Sequence, residues 1–351
     1  MRTIQIIKSA FQKVENKRYH YLHKKEANSI LTQIGLTRGK LSAQNRKMAD
    51  DYAVDVFGSK RYAPWLYVYT LWAGVFKEGW IPDNYYGEIV VPKLQGDYGK
   101  ISFNNMFTNA VFGTDKFPDL AYYVNRKWLS KNRQIMSPEM LEEFLFKNHN
   151  EIFFKLDNSL KGRGIYTFNK ANFSLDKIKS LGNGVFQSRV RHHSFFENFS
   201  SEALATLRVT TVIDTNNDVS ARAAYAKLGR LGETYINAKA QVIVPIELRT
   251  GVFENQGHLQ NWSVLTSHPD SSVSFEHKKI PKFNEIVELC TNLHSKIPYV
   301  GCIGWDIAID QNEELHVLEW NGFHNDIKYA EMTQGPCFAD LGWENLWKER
   351  D

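Results

Sequence analysis

The segment Gly304-Trp305-Asp306-Ile307-Ala308-Ile309-Asp310-Gln311-Asn312-Glu313-Glu314-Leu315-His316-Val317-Leu318-Glu319-Trp320-Asn321-Gly322 constrains the fold more than any other part of the chain. Two runs alternate apolar with polar residues around the polar centre Gln311 to Glu314, the pattern of a half-buried β-hairpin. With that turn, antiparallel pairing sets Asp306 opposite Glu319, and the period of two keeps Glu319 and Asn321 on one face. The other face takes Ile303, Trp305, Ile307 and Ile309 from one strand and Leu318 and Trp320 from its neighbour, all expected in the core.

Directly opposed carboxylates repel, so such a face binds a cation, shares a proton or pairs with a base. Oxygen ligands from Asp306, Glu319 and Asn321 favour magnesium, with coordination positions left for water and substrate phosphates. A second segment runs Phe153-Phe154-Lys155-Leu156-Asp157-Asn158-Ser159-Leu160-Lys161-Gly162-Arg163-Gly164-Ile165. There a lysine inside an apolar strand precedes a glycine-containing loop, so Lys155 can hold a phosphate while backbone amides approach its oxygens. The loop lacks the spacing of a P-loop or a dinucleotide fingerprint, and an ordinary hairpin turn is the competing reading. Arg208 and Arg222 each sit in an otherwise uncharged strand, where a charge needs a partner; together they suit an anion, separately a structural ion pair.

The remaining chain sets limits. Its 351 residues, 43% hydrophobic, suffice for two or three lobes without disulfides or structural metal. Lysine and arginine total 43 against 39 acidic residues, a net charge of +4 that gives no ground for nucleic acid as a partner. Cys290, Cys302 and Cys337 are too far apart for a zinc or disulfide framework, and no apolar run is long enough for a signal peptide or a membrane span. A cytoplasmic chain is expected.

Residues 1–80 are expected to form a helical N-terminal lobe. Its basic face is either solvated or in peripheral contact with an anionic membrane or glycan. The aromatic stretch Trp65 to Trp72 is expected to pack as core. Between Gly79 and Gly113 short strand-like runs such as Glu88-Ile89-Val90-Val91 alternate with turns, and Ser137-Pro138-Glu139 opens a helix. Sheet dominates from there on, with a helix near Phe283 to Ser295.

These parts, in this order, resemble the ATP-grasp superfamily, and most closely its sugar-transfer-associated branch, over roughly Asn104 to Gly335. The resemblance rests on the Lys155 strand and the Lys161-to-Gly164 loop, Gln187-Ser188-Arg189-Val190, Thr206-Leu207-Arg208, Arg222, Asn237, and Asp306 with Glu319-x-Asn321. It implies an α+β ATP-grasp fold in which two sheet-containing subdomains clasp ATP. The segments are then a helical lobe at 1–80, a pre-ATP-grasp region at 81–145, a small subdomain at 146–190 and a large subdomain with the metal site at 191–351. The resemblance further implies that Lys155 and the loop residues Lys161, Gly162 and Gly164 bind ATP phosphates. Gln187, Ser188 and Val190 hold adenine, and Glu197 lies near the ribose. Arg208 and Arg222 face the transferring phosphoryl group, and Asp306, Glu319 and Asn321 bind Mg2+. Where members often carry an Asp-Lys pair on an earlier helix, this chain reads Asn104-Asn105. It also lacks the paired glycines common after Asn237.

The chemistry so implied is ligation: a carboxylate takes the γ-phosphoryl group of ATP, and an amine displaces phosphate from the acyl phosphate. A sugar acid joined to an amino acid or amine, in capsule or other surface-polysaccharide assembly, is the expected small-molecule or glycan substrate pair. Two other readings remain open, a kinase that phosphorylates a sugar hydroxyl and a non-catalytic nucleotide- or glycan-binding factor.

Overall fold

The computed structural model describes residues 2–157, 164–200, 202–230 and 241–349, with side chains from residue 11 onward. Lys161, Gly162 and Asn237 lie outside the described residues. The chain divides into two compact units. One comprises Met1–Leu94, Asn261–Ser263 and Asp326–Asp351, the other Gln95–Gln260 and Val264–Asn325.

The first unit is helical, with α1 (Arg2–Arg38), α2 (Ala43–Asp55) and α3 (Ala63–Ala73). Pro64 is compatible with the first turn of α3, and Gly74, at φ 77°, ends the helix in the left-handed conformation a side chain would resist. Because α3 is apolar around its whole circumference, it is buried on all sides, as core packing of the aromatic stretch requires. The C-terminal segment packs here too, rather than with the large subdomain expected to run to 351. Trp80 Nε1 donates to Glu331 O at 3.0 Å, Tyr85 OH donates to Trp343 O at 2.8 Å, and Phe338 stacks on Trp343 at 4.9 Å. Residues Glu88 to Val91 form no strand. They lie in a π-helical turn, Tyr86–Val90, continued by the helix Val91–Leu94. Tyr86 and Val90, four apart, are both fully buried, so helical spacing overrides the β-branched preference.

The second unit holds two antiparallel sheets. The smaller contains β1 (Asp119–Val124), β2 (Lys127–Ser130), β3 (Ile135–Met136), β4 (Glu151–Leu156), β5 (Ile165–Asn169) and β6 (Gly184–Ser188), in the order β3-β2-β1-β6-β4-β5. It therefore reaches upstream of the expected boundary at 146, because β1 pairs with β6 from Asp119↔Gln187 to Tyr123↔Gly184. The helix Pro138–Phe146, capped by Ser137 Oγ, places Leu141 and Leu145 in a core with Ile152, Phe154 and Phe186.

The larger sheet contains β7 (Thr206–Ile213), β8 (Val219–Leu228), β9 (Val242–Ile246), β10 (Gly257–Leu259), β11 (Val264–Leu265), β12 (Cys302–Ile309) and β13 (Leu315–Asn321), in the order β11-β10-β9-β8-β7-β12-β13. Its apolar face carries Leu207, Val209, Trp305 and Ile307, in one core with Ile286 and Leu293 of the helix Phe283–His294. Its other face is free to carry charge.

Candidate active site

The β12–β13 hairpin closes around Asp310, whose Oδ1 accepts from Asn312 N at 2.8 Å and Glu314 N at 2.9 Å. Register runs Ile309↔Leu315, Ile307↔Val317, Asp306↔Glu319 and Gly304↔Asn321. The step between the second and third pairs leaves Leu318 as an extra residue, a β-bulge. The bulge corrects one expectation: Val317 is fully buried in the core, whereas Leu318 lines a small cleft beside Glu319.

Pairing extends the acidic row across the sheet, since Asp306 lies opposite Arg208 on β7 and Arg208 opposite Tyr225 on β8. Opposed residues of antiparallel strands share a face, so Glu319, Asp306, Arg208 and Tyr225 form one line. Arg208 grips Asp306 as a fork, Nε to Oδ1 and Nη2 to Oδ2, both at 2.8 Å. Lys227 Nζ adds a third contact to Oδ1 at 2.7 Å. Burial alone would push the Asp306 carboxyl up, but the charges of Arg208 and Lys227 hold it well below the usual carboxylate range. Burial beside Arg208 draws Lys227 down, the Asp306 carboxylate opposing that shift. Gly304 makes room for the fork, as a Cβ there would stand 3.1 Å from Arg208 Nη1.

Lys155, on β4 of the smaller sheet, reaches the same row: its Nζ lies 2.9 Å from Glu319 Oε2. Asn321 Nδ2 donates to Gly304 O at 3.3 Å. Arg222 occupies a bulge in β8, between Ala221, opposite Thr211, and Ala223, opposite Thr210. It is the residue left unpaired by that bulge, between a neighbour packed on the core and one on the face of Arg208. Lysine and arginine thus supply the counter-charge that the paired carboxylates require. Sequence reasoning missed Lys227, although two signals marked it: a lysine in the apolar run Ala223 to Leu228, and the alternation that puts it on the face of Tyr225.

The remaining candidates flank this row. Gln187 Nε2 donates to Asp119 Oδ1 at 2.9 Å, and Ser188 N to Pro118 O at 2.9 Å. Arg189 pairs with Glu151 at 2.6 Å, and the backbone of Val190 hydrogen-bonds to no described residue. Asp119, Gln187, Asn105, Ser102 and Glu319 line the cleft, so β6 and the metal-candidate hairpin border one space. Burial pushes the Asp119 carboxyl up, against hydrogen bonds from Gln187 and Tyr122. Asn105, at the start of the helix Asn105–Phe112, donates through its backbone and side chain to Asp157 Oδ1 at 3.1 and 3.2 Å. Gly164, at φ 77°, accepts from Leu156 N at 3.0 Å, closing the β4–β5 pair. Glu197 ends the short helix Ser194–Glu197 and is exposed. The neighbouring histidines are structural: His192 Nδ1 accepts from Ala205 N and His193 Nδ1 from Phe195 N.

The donor chemistry at Glu319 and Asn321 fits a hard divalent cation, since both offer oxygen and Glu319 is partly open. Asp306 already holds three charge-assisted contacts from Arg208 and Lys227. Among the described residues, no group of three or more His, Cys, Asp or Glu side chains is arranged to hold a metal ion. A hard cation here would therefore depend on a carboxamide and on oxygens brought by the ligand.

Residues 157–341 match the model of a family described as sugar-transfer associated ATP-grasp. Among solved structures, the biotin carboxylase domain of Hydrogenobacter thermophilus 2-oxoglutarate carboxylase is similar at 11% identity and a TM-score of 0.44, over 72% of this chain and 47% of that one. N5-carboxyaminoimidazole synthetase from Staphylococcus aureus is similar at 12% identity and 0.39, over 65% of this chain and 46% of that one. The ATP-grasp ligase PsnB, complexed with minimal precursor, is similar at 14% identity and 0.41, over 73% of this chain and 63% of that one. The chain spans about half the length of the first two. No curated protein matches the chain in sequence.

Proposed function

Because the chain belongs to the sugar-transfer associated ATP-grasp family, we propose that the charged face of β7, β8, β12 and β13 is the centre of an ATP-dependent, ADP-forming carboxylate–amine ligase. Its substrates in this reading are a sugar acid and an amino acid or amine, joined in surface-polysaccharide assembly. The observation that carries it is the convergence of Lys155, Arg208 and Lys227 on Glu319 and Asp306. Three cations meet two carboxylates there, a positive excess suited to an anionic ligand.

An acceptor carboxylate attacks the γ-phosphorus, the bond from that phosphorus to the β,γ-bridging oxygen breaks, and ADP leaves with the electron pair. The amine then attacks the acyl carbon and phosphate departs. Neither step needs a side-chain nucleophile; the protein positions the reactants and neutralises charge. Lys155 exchanges Glu319 for phosphate oxygens when the triphosphate enters. Arg208, fixed by the Asp306 fork and with Lys227 beside it, presents its remaining N–H groups to the transferring phosphoryl group, to which this reading also assigns Arg222. In this reading the backbone from Gln187 to Val190, with the Asp119–Gln187 pair, takes the adenine, and Glu197 takes the ribose. Glu319 and Asn321, joined by Asp306, would hold Mg2+, which when bound neutralises phosphate charge.

The test is ADP release with candidate uronic acids and amines, repeated with hydroxylamine in place of the amine. A ligase releases ADP only when acid and nucleophile are both present, and hydroxylamine yields a hydroxamate. ADP release with a phosphorylated hydroxyl and no hydroxamate would mark a kinase and overturn the reading.

A further inference from the structure

The helix α1 presents a surface that ligation does not use. Asn16, Tyr19, His20, His23, Ala27, Ile30 and Ile34 form its packed side, all buried or half-buried. On the opposite side, at spacings of three and four, stand Phe11, Val14, Arg18, Tyr21 and Lys25, with Leu22 adjoining. Phe11 is 64%, Val14 65%, Tyr21 65% and Leu22 51% exposed, which is unusual for four large apolar side chains on one helix face. Between residues 11 and 25 the helix carries Lys13, Lys17, Arg18, Lys24 and Lys25 against the single acid Glu15. None of these five cations pairs with any described residue.

We propose that this face of α1 docks on an anionic lipid bilayer, with Phe11, Val14, Tyr21 and Leu22 entering the headgroup boundary and the flanking lysines and arginine meeting lipid phosphates. Charge complementarity selects the occupant. A second copy of the helix laid face to face would bring Arg18 and Lys25 against like charges, and a soluble glycan would leave the four apolar side chains in water. A bilayer takes both the charge and the apolar surface. The helix lies on the surface and does not cross it, since no helix among the described residues is long and apolar enough to span a membrane. The inference is independent of the ligase reading.

Co-sedimentation of the full chain with vesicles tests it, comparing phosphatidylcholine alone with phosphatidylcholine mixed with phosphatidylglycerol. Binding to the anionic vesicles is expected to be about tenfold or more tighter and to weaken with salt. The doubly substituted variants Phe11→Ser/Tyr21→Ser and Lys17→Glu/Lys24→Glu are each expected to lose about tenfold of that binding, with melting temperature unchanged. Equal partition onto both vesicles, or no partition, overturns the proposal. Binding that Lys17→Glu/Lys24→Glu abolishes and Phe11→Ser/Tyr21→Ser leaves intact, with heparin competing, assigns the face to a soluble polyanion instead. Concentration-dependent dimerisation that Phe11→Ser/Tyr21→Ser removes, without vesicle binding, assigns it to a second copy.

Discussion

Lys227 reaches across β7 to Asp306 on β12, its ammonium 2.7 Å from the same carboxylate oxygen that accepts from Arg208 Nε. One buried acid thereby fixes two cations, and the direction of dependence is unequal. Asp306→Asn removes the carboxylate that both cations bind directly, leaving only the more distant Glu319 to oppose them, and is expected to cost about 3–5 kcal/mol of stability. Lys227→Met leaves the Arg208 fork intact and is expected to cost about 1 kcal/mol. Urea titration of the two variants measures the difference; equal losses would mean that Asp306 does not organise the cluster.

Gly304 stands where any side chain would press on that fork. A Cβ would meet Arg208 Nη1 at 3.1 Å and Asn325 Cβ at 3.2 Å, and the backbone there has no positive φ to add strain. Gly304→Ala is therefore expected to displace the guanidinium, at about 1–3 kcal/mol from overpacking. Turnover should fall by about tenfold or more, as expected when a positioned charge moves by a fraction of an ångström. A variant with both melting temperature and turnover intact would show that the fork has room to spare.

The opposite face of the same strand carries a pH-dependent element. Trp305 Nε1 donates to Thr211 Oγ1 at 2.8 Å, which leaves the Thr211 hydroxyl to donate to His294 Nδ1 at 2.7 Å. His294 Nε2 then donates to Val300 O at 2.6 Å, so the chain of bonds specifies a neutral imidazole. Burial pushes its pKa down to about 4, below the ordinary value near 6.5. Because the folded value is the lower one, the contribution is complete above about pH 6.5 and is lost as pH falls through about 4, some 3 kcal/mol in all. Denaturation at pH 7 and pH 4 measures it, and His294→Gln should flatten that part of the profile. An unchanged profile would exclude His294 as its source.

Much of this site is legible from spacing alone, and the reason is physical. The runs on either side of Asp310 are long, alternate strictly and are separated by a polar turn, so only one register buries Trp305 and Trp320 together. Those two indoles stack at 6.4 Å, and Asp306 falls opposite Glu319 as a consequence. A bulge has no such signature: Leu318 alternates perfectly in sequence, and only pairing with β12 shows it to be the extra residue. The residues Glu88 to Val91 mislead for the converse reason, since a short β-branched run does not reveal that Tyr86 and Val90 are buried together. Segment 326–351 has no period at all. Its place beside α3 is decided by single long-range contacts, such as Glu331 Oε2 accepting from Ile81 N at 2.8 Å.

The 2.9 Å pair of Lys155 and Glu319 gives the sharpest test of the nucleotide assignment, because its two members should answer differently. In the free protein each neutralises the other, so a triphosphate must take Lys155 from Glu319. Lys155→Met removes the ammonium and is expected to weaken ADP about tenfold whether or not Mg2+ is present. Glu319→Gln frees the ammonium, so metal-free ADP should bind a few-fold tighter, in keeping with the strength of a partly exposed ion pair. The same variant removes a carboxylate from the oxygen set, and the gain in affinity that Mg2+ brings should shrink or vanish. Calorimetry with ADP, with and without Mg2+, reads both effects on one protein. If Glu319→Gln leaves metal-free affinity and the Mg2+ increment as they are in the natural chain, neither Lys155 nor Glu319 belongs to a nucleotide site.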